Sequence, residues 1–597
     1  MSKKKYVADF ETTTNKEDCR VWAWAICEIG NTENYRVGNS LESFFNYLET
    51  LSNCDIYYHN LRFDIQFILP KILNEKYTYT ENRRLKPKQY SSIITDTGLF
   101  YMIKICIDRG NTITFYDSFK KLPFAVVDLP KAFNIEEKKL TIDYIEEREE
   151  GHILTEEEEE YVLHDVIIVA KALEHQFKSG LTKMTVASDA LSDLKTTVKW
   201  LALFPVLPLE QDDYIRKAYR GGFTWVNPKY QNKDLKDMTV YDVNSLYPWA
   251  MKYNRYPIGK GVYFTGKYKE NIGYPLYITR VRILFKLKEN KIPMIQIKRN
   301  FRFIPTEYVT ECLDEPVELT LTNIDLELFF DMYDVFYIEY IDGYMFECAE
   351  NIFTSYVDKW NKIKMENSGK DGKKPLRTNA KLMLNSSYGK FASATHRRKK
   401  IPYLKENGVV GYETSEEEIV EPVYTPVACF VTAYARDRTI RSALKFMQGH
   451  HKVNNLEYTN PYDYLVYIDT DSLHILNHPN DTEIIPVDDK ELGYFKCESK
   501  PVRARFLRAK CYIEELETDK ETYEKKINNP LFYMRDNKYY ELEVKCAGMP
   551  ERVKTEVTWD NFHYGFTSEH KLKPSIVKGG VVLEETPFTI KELKNNT

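Results

Sequence analysis

The residues best suited to chemistry in this chain are acids. The segment YIDTDSL, 467–473, places Asp469 and Asp471 two residues apart, and the chain then returns to Leu473, His474, Ile475 and Leu476. This reads as an apolar hairpin with two carboxylates at its tip. Asp-Thr-Asp is also good turn chemistry, so a plain surface turn competes. The apolar flanks weigh against it, because two acids in a tight hairpin repel unless a cation lies between them. The segment MTVYDVNSLYP, 238–248, predicts a strand that carries Asp242 to its end and a turn closed by Pro248. A strand-end Asp together with Asp-x-Asp is what two-cation phosphoryl transfer requires: one ion activates a hydroxyl and the other holds the leaving phosphate. The fold would have to bring these distant segments together.

A second acid set lies near the N-terminus. In YVADFETTT, period two sends Asp9 and Glu11 to one face of a strand and Ala8 and Phe10 to the other. YYHNLRFD, 57–64, supplies Asn60 and Asp64 after another apolar strand. In YVLHD, Tyr161 and Asp165 stand at i and i+4 of a helix and share a face. Four carboxylates and a phenol suit Mg²⁺ or Mn²⁺, and two such ions can activate water for phosphodiester cleavage. A lone Asp-x-Glu in a strand is equally at home as a structural feature. The three stretches together, in this order, are far more specific.

Between the C-terminal acids runs LRTNAKLMLNSSYGKFA, 376–392. Arg377, Lys381, Asn385 and Tyr388 form one stripe of a predicted helix, while Leu382, Met383 and Leu384 occupy other faces. Two bases on a stripe can hold triphosphate oxygens, and a Tyr further on can stack on a base. Gly389 is expected to end the helix where a side chain would crowd a base pair. The bland alternative is an ordinary amphipathic surface helix.

The elements that must position these groups are mixed. Strand-like runs at Tyr6–Phe10, Phe100–Ile107 and Thr112–Tyr116 precede a long helix from about Thr155, whose Thr155 and Glu158 have capping-box spacing. The Glu156–Glu160 run suits a solvated helix start. ENSGKDG, 366–372, and NGVVG, 407–411, read as loop or hairpin tips. The chain has 597 residues, which calls for several domains, and its 43% apolar and 29% charged composition is that of a soluble globular protein. No apolar run is long enough to span a bilayer and no signal peptide is visible, so no membrane partner is expected. The ten cysteines are scattered without a CxxC pair, against a zinc site and for a reducing cytosol. The net charge of −5 averages acids gathered at metal sites with basic runs at 83–88, 396–405 and 503–510.

These motifs carry a resemblance. DFET, HNLRFD and Y-x-x-x-D resemble the three exonuclease motifs of proofreading DNA polymerases. DVNSLYP, KLMLNSSYG and DTDS resemble the A, B and C motifs of family B polymerases. AKCY, 509–512, is similar to the K-x-Y motif, and YRGGFTW, 219–225, to the linker between exonuclease and polymerase domains. The chain resembles the protein-primed family B DNA polymerases of the phi29 type, from small tailed bacteriophages, over nearly its whole length. The resemblance implies a multidomain α/β and α+β fold: an RNase H-like 3′–5′ exonuclease domain followed by a right-hand polymerase with two terminal-protein-region insertions. The implied spans are 1–182 exonuclease, 183–253 first palm part, 254–356 first insertion, 357–392 fingers, 393–424 second insertion with the hairpin IPYLKENGVVGY, 425–543 second palm part and 544–597 thumb.

It also implies roles. Asp9, Glu11, Asp64 and Asp165 match exonuclease metal ligands, with Tyr161 orienting water. Thr12, Asn60, Phe63, Ser118 and Tyr144 match positions that hold a single-stranded 3′ end, assisted by His59 and Lys139. Asp242, Asp469 and Asp471, with Val243, match the polymerase metal site. Tyr247 packs under the incoming sugar and would clash with a 2′-hydroxyl. Lys364, Arg377, Lys381, Asn385 and Tyr388 face the dNTP, while Tyr219, Gly221, Gly222, Lys510 and Tyr512 contact DNA. Two Mg²⁺ or Mn²⁺ ions per active site are implied. The implied partners are primer–template DNA and the displaced strand, dNTPs, a terminal protein as primer, and phage single- and double-stranded DNA-binding proteins. A monomer in the cytoplasm of an infected bacterial host is expected. Ser387 stands where the family usually has Leu, Phe119 replaces Leu after Ser118, and Arg377 stands where Lys is common. A nucleic-acid-primed family B polymerase shares motifs A to C but is not expected to carry both insertions. A non-catalytic DNA-binding scaffold has no need of two acid sets.

Overall fold

The computed structural model describes residues 3–108, 110–142, 148–297, 308–370, 372–453 and 456–592. Alternation decides the first strand, Lys4–Thr12. Tyr6, Ala8 and Phe10 enter a buried cluster with Leu61, Ile65 and Ile68 of the helix Leu61–Asn74. Val7, of opposite parity, enters another cluster with Tyr161, Val162 and Val166 of the helix Glu156–Lys178. The strand is therefore sandwiched between two helical layers, each buried Val or Leu contributing about 1.5–3 kcal/mol. It pairs antiparallel with Val21–Glu28 and parallel with Cys54–Tyr58. The complete sheet has eight strands, in the order Asn31–Gly38, Val21–Glu28, Lys4–Thr12, Cys54–Tyr58, Asn111–Asp117, Phe100–Asp108, Gln89–Ile94 and Thr78–Tyr79.

The long helix starts as its spacing predicts. The Thr155 side chain accepts from the Glu158 N–H, and the Glu158 carboxylate accepts from the Thr155 N–H. The acidic run is not wholly solvated, however. Glu158 is buried, and its carboxylate accepts from Arg148 Nε at 2.7 Å and meets His152 Nε2 at 2.7 Å.

A five-stranded antiparallel sheet carries the second acid set, in the order Phe495–Ser499, Met238–Val243, Ser472–Leu476, Leu465–Asp469, Thr224–Val226. Behind it lies the helix Thr425–Leu444, most of whose residues are buried because it separates two cores. Ala435, Ile440 and Ala443 pack with Tyr241, Ile468 and Leu473 of the sheet. Val427, Phe430 and Val431 pack with Phe353, Tyr356 and Met383. A four-stranded antiparallel sheet, Tyr256–Thr265, Tyr333–Ala349, Leu276–Leu287 and Glu311–Thr322, shares the first of these cores. A buried ion pair, Arg436 Nη2 to Asp325 Oδ1 at 2.8 Å, ties the helix Asn323–Met332, which joins two strands of this sheet, to the helix Thr425–Leu444.

A fourth sheet runs Asp234–Lys236, Arg503–Arg508, Cys511–Thr518, Lys538–Cys546, Phe532–Arg535. Two expected boundaries fall inside elements. The one at 543/544 cuts the strand Lys538–Cys546, whose pairing with Cys511–Thr518 continues to Cys546. The one at 356/357 cuts the helix Thr354–Glu366. The 407–411 break is a hairpin tip, between Lys400–Leu404 and Val410–Thr414, while of 366–372 Glu366 ends a helix and Asp371 lies outside the described residues. This hairpin leans on the N-terminal unit: Tyr412 donates to Gln66 Oε1 at 2.8 Å and Val410 enters its core. The last hairpin, Thr567–Val577 with Gly580–Thr589, turns at Gly579 against the same unit. Gly579 has φ +92°, and a Cβ there would lie 2.7 Å from the Cys19 carbonyl oxygen, so only glycine fits.

Candidate functional site

The C-terminal acids meet through strand register. Asp242 is opposite Ser472, and Ser472 is opposite Asp469 across the tight turn. Thr470 adopts a left-handed φ of 61°. The Asp471 N–H donates to Asp469 O at 2.7 Å, and the Val243 N–H donates to Asp471 O at 2.9 Å. Two segments far apart in sequence thus form one acidic edge. Burial, then Asp471 and Glu498, push the Asp242 carboxyl up to about 7. Burial, with Asp469 and Glu498, pushes Asp471 up to about 6. Asp469 is compensated instead: Lys510 Nζ lies 2.6 Å from its Oδ1, and the Tyr467 hydroxyl donates to its Oδ2 at 3.0 Å.

Cations face this edge from the helices Thr354–Glu366 and Lys374–Ser386. Burial, then Arg377 and Lys381, lower the Lys364 ammonium, which Asp242 in turn favours. Lys364 Nζ donates to Ser245 Oγ at 3.0 Å. Arg377, Lys381 and Asn385 form the expected exposed stripe. The helix ends earlier than expected, at Ser386, and Tyr388 and Gly389 belong to a following 3-10 turn, Tyr388–Ala392. That turn aims Tyr388 at Tyr247, and their rings stack with centroids 4.1 Å apart. Pro248 likewise closes no turn; it sits in the first turn of the helix Leu246–Tyr253, where its missing N–H costs nothing. Ser387 is buried, its hydroxyl donating to Leu384 O at 3.0 Å beside Met251 Sδ.

The YRGG segment joins the same place. A Cβ on Gly222 would lie 2.6 Å from Thr470 Oγ1 and 3.1 Å from the Tyr247 hydroxyl, so the close approach of backbone to turn requires glycine. Gly221 O accepts from Arg436 Nη1 at 3.1 Å, and Tyr219 packs on the core that also carries Tyr247 and Tyr388. Tyr512 is not a surface side chain: it is buried and stacked on Phe506, with centroids 4.9 Å apart.

Asp9, Glu11 and Asp165 line a cavity of about 590 Å³ with His59, Asn60, Phe63, Lys139 and Tyr161, and Asp64 lies buried beside Asp9. Its other wall is Pro574, Ile576, Val581 and Leu583 of the last hairpin. Burial and mutual repulsion push Asp9 up to about 7 and raise Glu11 and Asp64 well above the usual carboxylate range. Burial also raises Asp165, against the opposing charge of Lys139, whose ammonium bonds its Oδ2. Asn60 precedes the helix Leu61–Asn74 in a left-handed conformation, φ 82°, and is exposed, while Phe63 is half-buried. Thr12 ends the first strand, half-buried. Ser118 does not face the cavity as a free hydroxyl: it is fully buried, donates to Tyr58 O at 3.0 Å and meets His59 Nδ1 at 2.9 Å. His59 Nε2 meets Phe124 O at 2.8 Å, so both ring nitrogens serve to hold the ring. Phe119, the neighbour of Ser118, packs edge-on against His59. Tyr144 lies outside the described residues.

Both acid sets fit hard cations. Buried carboxyls raised toward 7 are short of positive charge, and Asp165 Oδ1 is buried without a hydrogen-bond partner among the described residues. No three His, Cys, Asp or Glu side chains among the described residues are already gathered as a metal cage. In each set a lysine takes a carboxylate oxygen instead, Lys139 in one and Lys510 in the other.

Sequence reasoning missed three contributors. Glu498 loads the edge with further negative charge; its alternation in FKCES was the available signal. Ser245, left-handed at φ 56°, anchors Lys364. The apolar wall from the last hairpin had no local signal, because its residues lie at the far end of the chain.

A family described as DNA polymerase type B, organellar and viral, matches residues 141–489. The DNA polymerase of Bacillus phage Nf is 44% identical to this chain, covering 99% of it and 100% of the relative. That of Bacillus phage phi29 is 41% identical at the same coverage, and that of Streptococcus phage Cp-1 is 32% identical, covering 98% of each. Among solved structures, phi29 DNA polymerase complexed with primer-template DNA and incoming nucleotide substrates superimposes with a TM-score of 0.88. It is 40% identical, with 99% of this chain and 100% of that one covered.

Proposed function

We propose a division of labour for this chain, which belongs to the phi29-type, family B DNA polymerases: the C-terminal acid edge adds dNTPs to a 3′-hydroxyl, and the N-terminal cavity removes mispaired 3′ nucleotides. The observation that carries this reading is that each set gathers buried carboxyls, in its own site, that burial and neighbouring acids push above their ordinary values.

In the polymerase site Asp242, Asp469 and Asp471, with the Val243 backbone, would hold two Mg²⁺ or Mn²⁺ ions. When bound, such ions lower the pKa of the 3′-hydroxyl and stabilise the leaving pyrophosphate. Lys364, Arg377 and Lys381 bind the triphosphate oxygens. Lys364 is poised for this, since neighbouring cations disfavour its charge until an anion arrives. The Tyr247–Tyr388 stack forms a flat floor for the nucleoside, and Asn385 borders it. Lys510, released from Asp469, reaches the primer strand. Tyr512 supports it from the core and touches no nucleotide.

In the nuclease site Asp9, Glu11, Asp64 and Asp165 are the ligands, and Tyr161 orients the attacking water. Thr12, Asn60 and Phe63 hold the frayed 3′ end, His59 is fixed beside them by Ser118, and Lys139 balances Asp165. The eight-stranded sheet is the exonuclease domain. The five-stranded acid-bearing sheet is the palm, the helices Thr354–Glu366 and Lys374–Ser386 are the fingers, and the C-terminal hairpin belongs to the thumb. The four-stranded sheet and the 400–414 hairpin are the two insertions, which serve a terminal-protein primer, processivity and strand displacement. Template, displaced strand and phage DNA-binding proteins are the remaining partners. The host cytoplasm is the place of action, a reading supported by phage relatives.

A primer-extension assay with Mg²⁺ tests the reading. Extension with dNTPs and shortening without them is the expected result, and nucleotidylation of a terminal protein tests priming. Loss of neither activity on removing Mg²⁺ would overturn it.

A further inference from the structure

Cys511 opens the strand Cys511–Thr518 and Cys546 closes Lys538–Cys546, and the two are register partners. Both are free thiols, and their Sγ atoms lie 3.2 Å apart. The Ala547 N–H donates to Lys510 O at 2.8 Å, so the adjacent pair, Cys511 with Cys546, is a non-hydrogen-bonded one. Side chains come closest in such pairs, and the spacing suits a disulfide. Resting on the polymerase reading, we propose that Cys511 and Cys546 form a redox modification site: a small peroxide closes them into a cross-strand disulfide that slows primer extension and leaves 3′ digestion intact.

The order of events follows from exposure and charge. Cys511 is fully buried, whereas Cys546 is 6% exposed and meets the oxidant first. The two thiols hydrogen-bond to one another, and this contact, with the positive charge of Arg508 and Lys554, outweighs burial and holds the Cys546 thiol below its ordinary value. The Cys546 thiolate attacks one oxygen of hydrogen peroxide. The O–O bond breaks, hydroxide leaves and is protonated to water, and Cys546 becomes a sulfenic acid. Cys511 loses its proton and attacks the Cys546 sulfur; the S–S bond forms, the S–O bond breaks, and a second water departs. Two thiols and one peroxide thus give one disulfide and two waters.

Lys510 carries the consequence. Closing 3.2 Å to a bond of about 2.05 Å brings the two sulfurs about 1 Å closer, a movement shared between side-chain rotation and the strand ends. Lys510 directly precedes Cys511, in a left-handed conformation with φ 56°. Its N–H donates to the Tyr467 hydroxyl at 3.0 Å and its ammonium reaches Asp469 at 2.6 Å. A shift at Cys511 is therefore delivered to the acid edge.

The test treats the full chain with hydrogen peroxide, alkylates free thiols and maps peptides, alongside extension and digestion assays. The expected result is a linked Cys511–Cys546 peptide. Extension should slow about tenfold, less than the ~100-fold that a 1 Å misplacement can cost, and a thiol reductant should restore it. Digestion of single strands should stay unchanged. Cys546→Ser, or Cys511→Ser if the first fails to fold, should extend normally and resist peroxide. Absence of the linked peptide, or its formation with unchanged extension, overturns the proposal. Failure of the untreated chain to extend would instead overturn the polymerase reading, which the peptide map does not depend on.

Discussion

The two acid sites solve the same problem differently. Both gather carboxylates that repel one another, yet the N-terminal set lies in an apolar-walled cavity and the C-terminal set on an open strand edge faced by bases. In the cavity, burial dominates and all four acids are raised. On the edge, Asp242 and Asp471 are raised while Lys510 and Tyr467 hold Asp469. A site that hydrolyses a strand end needs only the end, a water and cations. A site that selects a nucleotide must also recognise a triphosphate, a sugar and a base. On the proposed reading, that is why Lys364, Arg377, Lys381, Tyr247 and Tyr388 surround the C-terminal acid set.

Exchanging neutral for charged ligands breaks the comparison most strongly. Asp242→Asn or Asp471→Asn should lower extension by about 10²–10³ or more, as removal of a charge-stabilising group does, and leave digestion of single strands intact. Asp9→Asn with Glu11→Gln should do the reverse. Equal loss of both activities in either variant would show that the sites are not separate.

Sugar recognition sharpens the contrast next. Removing the Tyr247 ring in Tyr247→Val should raise rNTP over dNTP insertion by roughly tenfold, since a misplaced reacting group costs up to about 10²-fold. The ratio of kcat/KM values measures this, because a folding defect cancels. An unchanged ratio in a folded variant removes Tyr247 from the nucleotide floor. Lys381→Ala should raise the dNTP KM by roughly 10- to 100-fold, with the loss of one charge-assisted contact worth about 1.5–3 kcal/mol, and leave digestion untouched. A purely lowered kcat would place Lys381 elsewhere in the cycle.

The smallest effect probes the nuclease scaffold alone. Thr155→Ala should destabilise the N-terminal unit by about 1 kcal/mol through loss of the cap, seen in its thermal transition and not in extension rate. Glu158 adds a pH signature. Burial opposes its charge, but the Thr155 N–H, His152 and Arg148 outweigh this and hold it at about 2. Its contribution is present above its unfolded value near ~4.3 and is lost as pH falls toward 2. Glu158→Gln should flatten the acid limb of stability, and an unchanged limb would remove Glu158 from that balance.

The sequence by itself determined what is local. Period two placed Asp9 and Glu11 on one face, i and i+4 paired Tyr161 with Asp165, the Thr155 cap started the long helix, and Asp-Thr-Asp made the hairpin tip. Each follows from backbone geometry over a few residues, and motif order added the family. Helix ends were less legible. Ser386 rather than Gly389 ends the helix that begins at Lys374, and Pro248 enters a helix rather than closing a turn, because packing of Tyr388 on Tyr247 and of Leu246 in the core outweighs local punctuation. Only the tertiary structure decided that Ser118 and Tyr512 are buried, that Glu498 charges the acid edge, and that Ile576 and Leu583 wall the N-terminal cavity. It alone also set Cys511 against Cys546. These relations join residues distant in the chain, and burial, register and Coulomb interaction depend on separation in space, which no local pattern encodes.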